Sequence, residues 1–177
     1  MRTETILAQL DHYLDHASAG VVPPIQPSTT FARGADNALL VEGRVYGRDQ
    51  NPGHPLVESI IAKLEGGQES LLLPSGQAAG MILLQALKPG DHVIIGQHMY
   101  WALRNQVQTF CAQWGLRLDL VDILDLEAIK GSITPETKLL LAEAPSNPMM
   151  VMPDIPALAQ ICHGTEVSLA IDATAAT

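Results

Sequence analysis

Aromatic residues make up only 4% of this sequence, so Leu, Ile, Val and Ala must fill any core. Cysteine is nearly absent. Cys111 and Cys162 lie far apart without a CxxC pattern, which argues against a disulfide framework and reads as two reduced core thiols. Positive charge is short, with ten Lys and Arg against nineteen Asp and Glu, a net charge of -9. That balance argues against nonspecific binding to nucleic acid or to an acidic membrane. No apolar run approaches a membrane span, and the start, MRTETILAQLDHYLDH, lacks the apolar stretch of a secretory leader. These absences together read as a soluble cytoplasmic protein. A GxGxxG turn is missing too. PSGQAAG holds only Gly76 and Gly80, with no strand-ending acid about twenty residues on, which argues against a nicotinamide-binding domain. No metal is expected either: His12 and His16, beside Asp11 and Asp15, read as a solvated helix face, and the other histidines show no ligand spacing.

What the sequence does contain is α/β patterning. The 177 residues, 47% hydrophobic and 16% charged, are enough for one domain with a real core. Residues 1–20 suggest a short amphipathic helix ending near Gly20. Residues 21–53, with VVPPIQPSTTF and GRVYGRDQNPGHP, are too rich in Pro, Gly and Asn for a long helix or a central strand. They read as an extended arm, so the chain divides into 1–53 and 54–177. After a helix at about 55–65, strands and helices alternate. ESLLL, HVIIG, LRLDLV, KLLLAEA and VSLAI read as strands. QAAGMILLQALK, WALRNQVQTFCAQWG, DLEAIKGSI and DIPALAQICHG read as the helices between them. The fold class is α/β, a mostly parallel sheet flanked by helices.

In such a sheet, ligands bind beyond the carboxyl ends of the strands. Four features fall there. Ser75 and Gly76 follow ESLLL, at a helix start whose free N–H groups and dipole suit a phosphate. Tyr100 follows HVIIG and can stack on a planar ring. Asn147 follows KLLLAEA and Ser146. Asp172 ends VSLAI and can pair with a protonated ring nitrogen. Each has a plainer alternative: a Ser N-cap, helix-start packing, an Asx turn, and a structural Asp paired with a hydroxyl such as Thr174. Together they suit a planar, phosphorylated, nitrogen-bearing ligand.

With these motifs in place, the chain resembles the Cys/Met-metabolism pyridoxal-phosphate (PLP) enzymes of fold-type I, the group of cystathionine γ-synthase, cystathionine lyase and methionine γ-lyase. PPIQPSTTF, YGRDQNPGHPLVESIIAKLEGG, LLLPSGQAAG, KPGDHVIIGQHMYWA, TKLLLAEAPSNP and LAIDATAAT carry the resemblance across residues 20–177. It implies that the cofactor is PLP. Ser75, Gly76 and Gln77 would hold its phosphate, Tyr100 would stack on its ring, Asn147 would approach the phenolic oxygen, and Asp172, with Thr174 beside it, would pair with the ring nitrogen. Tyr46 and Arg48 would reach the phosphate from a neighbouring subunit, so the site would need a dimer, with a tetramer usual in the family. Two positions depart from the family habit: Gln77, where Met is common, and Trp101, where Gly is usual.

The resemblance also implies a Schiff-base lysine, which the family carries beyond Asp172 in a Ser-x-Thr-Lys stretch. The sequence runs to Thr177 without it. Lys63 and Lys130 read as helix surface, Lys88 as a helix end, and Lys138 as the wrong end of a strand. No catalytic residue is therefore assigned. The implied activity is β- or γ-elimination or replacement on a sulfur amino acid, in transsulfuration or methionine metabolism. These residues alone are expected to be inactive, the rival being a non-catalytic PLP-binding or oligomerisation module.

Overall fold

The structure, a computed structural model, describes residues 2–176. It forms two compact units that divide between Leu72 and Leu73.

The first unit contains three helices: α1 (Thr3–Gln9), α2 (Gly47–Gln50) and α3 (Gly53–Leu64). α1 is shorter than its amphipathic pattern suggests. Leu10, Asp11 and His12 all take positive φ, and the helix ends there rather than near Gly20. Asp11 pairs with Lys63 of α3, while Asp15 bonds locally to Ser18 and to the Ala17 N–H. Short polar side chains compete with helix in this way. The arm is largely irregular, crossed by isolated antiparallel bridges between Thr30 and Tyr46 and between Arg33 and Leu39. α2 is a single helical turn within it, at GRDQ, that the arm reading did not foresee. In α3, Pro55 sits in the first turn, where its missing N–H costs no bond.

The second unit runs α4 (Gly76–Gln85), β1 (His92–Gly96), α5 (Trp101–Trp114), β2 (Arg117–Val121), α6 (Leu126–Ser132), β3 (Thr137–Glu143), α7 (Ile155–Cys162) and β4 (Ser168–Asp172). Local signals set these bounds. Ser75, Asp125 and Asp154 cap α4, α6 and α7 by accepting an N–H three residues on. Gly115 closes α5 in the left-handed region, at φ 74°. The expected strand ESLLL does not form. Residues 69–73 join no sheet; Ser70 Oγ donates to the Glu58 carbonyl at 2.7 Å and the Leu72 N–H to Glu58 Oε1 at 2.9 Å. An apolar run becomes a strand only where a partner strand satisfies its backbone.

The sheet is parallel, with strand order β2-β1-β3-β4. Side chains alternate between its faces as the strand repeat requires. Val93, Ile95, Leu139 and Leu141 pack with Met81 and Leu84 of α4 and Leu103 and Val107 of α5. Ile94, Leu140 and Ala142 pack with Ile129 of α6 and Leu158 of α7. Burial on both faces explains why VII and LLL read as unbroken apolar runs. The chain leaves β1 toward β2, then crosses back to β3, so the order reverses between β1 and β3. That reversal is where an open α/β sheet forms a crevice.

Candidate functional site

Helices α4 and α5 lie side by side. A Cβ added at Gly80 would stand 2.8 and 2.9 Å from the two Cδ atoms of Leu103, near the start of α5. Toward the other end, Trp114 Nε1 donates to the Leu87 carbonyl at 3.2 Å. Near contacts with near and far with far make the helices parallel. The turns that open them, at Ser75 and Tyr100, therefore stand together on one rim.

At the first of these turns, Ser75 Oγ accepts the Ala78 N–H at 3.1 Å and its carbonyl accepts the Ala79 N–H at 3.0 Å. The Gly76 and Gln77 N–H groups make no hydrogen bond among the described residues. A Cβ on Gly76 would meet nothing within 4 Å, so that side of the turn is open. Two free donors at the start of a ten-residue helix form a place for an anion.

Tyr100 precedes α5 and is 43% exposed, with Trp101 also exposed beside it. The Tyr100 backbone N–H donates to Glu143 Oε2 at 2.6 Å, and the Asn147 N–H donates to the same oxygen at 3.0 Å. Glu143 ends β3 and is buried, at 7% exposure. Its register partner on β4 is Asp172, whose carbonyl accepts the Ala144 N–H at 2.9 Å. Asp172 Oδ1 accepts the Thr174 N–H at 3.1 Å and its hydroxyl at 2.5 Å; Oδ2 has no partner among the described residues. Strand alternation continues from Leu139 and Leu141 to Glu143, and from Ala170 to Asp172. Both carboxylates thus share the sheet face covered by α4 and α5.

The loop carrying Asn147 is fixed from behind. Ser146, 2% exposed, accepts the Met150 N–H on its carbonyl at 2.7 Å and the Val151 N–H on Oγ at 3.0 Å, and its own N–H donates to the Val151 carbonyl at 2.9 Å. The structure thus brings Ser75, Gly76, Gln77, Tyr100, Asn147, Asp172 and Thr174 to one rim. Sequence reasoning missed Glu143, although the signal that marked Asp172, a carboxylate ending an apolar strand, marks it equally.

Tyr46 and Arg48 belong to the other compact unit. There they form a pair: Arg48 Nη2 donates to Tyr46 Oη at 2.8 Å, with the guanidinium carbon 5.2 Å from the ring centroid. The four lysines all have other places. Lys63 pairs with Asp11, and Lys130 with Glu127 at 2.7 Å. Lys88 lies in the turn before β1, and Lys138, paired with Glu166, lies near the start of β3; both are at the sheet edge opposite the rim. An open pocket of about 570 Å³ also lies at that opposite edge, lined by Ile133, Thr134, Thr137, Thr165 and Val167 among others. Its Thr137 and Thr165 hydroxyls are bonded to protein groups. Among the described residues no group of three or more His, Cys, Asp or Glu could hold a metal ion, and no helix is long and apolar enough to cross a membrane.

A parallel sheet covered on both faces, with polar residues gathered at the carboxyl ends of its strands, is the class of open α/β protein that places its ligand site on that rim. The family model for Cys/Met metabolism PLP-dependent enzymes matches residues 4–177, and the chain belongs to that family. It is 37% identical to cystathionine gamma-lyase of Sus scrofa, over 89% of this chain and 39% of that one. It is 34% identical to L-methionine gamma-lyase of Pseudomonas putida, over 90% of this chain and 42% of that one. Among solved structures it resembles metB from Corynebacterium glutamicum, with a TM-score of 0.85 and 34% identity over 97% of this chain and 46% of that one. The chain thus spans about two fifths of the length of these curated relatives.

Proposed function

We propose that these residues form the cofactor-holding part of a PLP-dependent enzyme that carries out β- or γ-elimination or replacement on sulfur amino acids, in the manner of a cystathionine γ-synthase or lyase. The observation that carries this reading is the convergence, on one rim and one sheet face, of two free helix-start N–H groups, an exposed tyrosine and a carboxylate with a free oxygen. These residues fit the cofactor. The Gly76 and Gln77 N–H groups would hold its phosphate, and the open side of Gly76 leaves room for it. Tyr100 would stack on the ring and Asn147 would face its phenolic oxygen. Asp172, with Oδ1 held by Thr174, would keep a proton on the ring nitrogen through its other oxygen. When bound, PLP supplies an electron sink for negative charge at the substrate α-carbon.

Tyr46 and Arg48 would reach the phosphate of a neighbouring subunit, and their mutual bond holds the guanidinium in place for it. The working unit is then at least a dimer, and a tetramer by resemblance to the family. The two buried, unpaired thiols support a cytoplasmic location.

None of the three lysines in the second unit stands on the rim. A polypeptide of these residues alone would therefore hold PLP reversibly and would not turn substrate over. The second reading is a non-catalytic PLP-binding or oligomerisation module. Borohydride reduction with PLP, followed by peptide mapping, separates these from lysine-linked catalysis; the expected result is no labelled lysine. Asp172→Asn and Arg48→Ala should each weaken PLP retention roughly tenfold, read by absorbance titration, since each removes a charge-assisted bond. Unchanged affinity in both variants would show that these residues are misplaced.

A further inference from the structure

We infer that Glu143 is the positioning residue of this site, a buried clasp that sets Tyr100 and Asn147 relative to each other across the sheet crevice. The inference rests on the cofactor reading above, since it concerns the residues that would contact the ring. Its basis is geometric. Tyr100 follows β1 and Asn147 follows β3, on the two sides of the order reversal. No side-chain bond between Tyr100 and Asn147 joins the two turns; instead both backbone N–H groups converge on Glu143 Oε2, at 2.6 and 3.0 Å. A carboxylate oxygen can accept two such bonds in different directions, and bonds to a charged acceptor are the strong ones.

Burial makes the arrangement consequential. Glu143 is 7% exposed, so water is a poor substitute partner for either N–H. Backbone is what is being held. Fixing the Tyr100 N–H fixes the residue that opens α5, and with it the origin of the tyrosine ring. Fixing the Asn147 N–H does the same for the amide, whose loop Ser146 already secures from behind. Glu143 is also the register neighbour of Asp172, and the Ala144 N–H bonds the Asp172 carbonyl. One residue thus ties the ring-stacking turn and the amide turn to the strand that carries the ring-nitrogen partner. Glu143 itself touches no reacting atom; it acts through the residues it holds.

The test uses the chain itself, in two arms. Amide hydrogen exchange by NMR reads the clasp without any ligand. In Glu143→Ala, protection of the Tyr100 and Asn147 N–H groups should fall together, about tenfold or more, while central amides such as Ile94 and Leu140 keep theirs. In Glu143→Gln, which retains one acceptor oxygen of the same reach, both protections should largely return. Uniform loss across the sheet, or no loss at the two amides, would overturn the clasp. The second arm titrates PLP. Glu143→Ala should weaken its binding about tenfold, with Glu143→Gln within about threefold of the parent. Equal PLP affinity in parent and Glu143→Ala, with the two amides deprotected, would overturn the positioning role while leaving the cofactor reading intact. A parent chain that holds no PLP would end the cofactor reading, and the positioning role with it. The exchange arm would still decide whether the clasp exists.

Discussion

Gly76 and Gly80 stand about one turn apart on α4 and meet opposite surroundings. Beside Gly76 there is open space; beside Gly80 there is the side chain of Leu103, itself 2% exposed. With no room for Leu103 to swing away, Gly80→Val should destabilise the second unit by about 1–3 kcal/mol, measured by denaturant unfolding. The sequence distinguishes these glycines poorly, because both lie in PSGQAAG and only packing separates a glycine with open space beside it from a helix-crossing one. The place of Asp172 at the end of β4 was legible because a carboxylate ending an apolar strand demands a partner, and the partner seen is Thr174, the plainer of the two alternatives. Glu143 carries the same signal but stands in AEAPSNP, where the neighbouring Asn draws attention first. Its partners are backbone N–H groups from elsewhere in the chain, which no side-chain pattern advertises.

At the scale of elements, the signals that worked are those that act locally. Asp125, Asp154 and Gly115 bound their helices where the sequence placed them, since a cap needs only its own neighbours. ESLLL misled because strand formation depends on a partner that the segment does not encode. α1 misled in the opposite sense, since its apolar spacing continued past the point where Leu10, Asp11 and His12 turn left-handed. One element contact has a defined pH response. Lys138, in β3, pairs with Glu166, just before β4. The lysine bond holds the Glu166 carboxyl below the usual carboxylate range, and the glutamate holds Lys138 above the usual lysine range. Stability from this pair is present at neutral pH. It is lost on acidification, as Glu166 takes up a proton in the folded state, and on strong alkalinisation, as Lys138 loses one. Glu166 is well exposed and Lys138 partly so, and water screens the pair, so the effect is small. Lys138→Met should shift the thermal midpoint slightly at neutral pH and not at all in acid below the depressed Glu166 range.

For the second unit as a whole, the two thiols are built-in reporters. Cys111 belongs to the layer of α4 and α5, and Cys162 to the layer of α6 and α7. Burial pushes both thiols up from their ordinary range, which leaves little thiolate at neutral pH. Alkylation of the native protein should therefore be slow at both, and the two labelling rates should report the opening of each sheet face separately by mass spectrometry. Equal, fast labelling in the absence of denaturant would contradict the described packing. The free Gly76 and Gln77 N–H groups at the start of α4 form a small anion-attracting spot on a polypeptide with a net charge of -9. On the proposed reading, a doubly charged phosphate ester would be repelled during approach and held only on arrival, because the helix-start attraction is short-ranged while the net charge acts over about a Debye length, roughly 10 Å at moderate salt. Added salt should therefore speed capture of PLP in stopped-flow measurements. That is the reverse of the slowing seen when opposite charges steer an encounter.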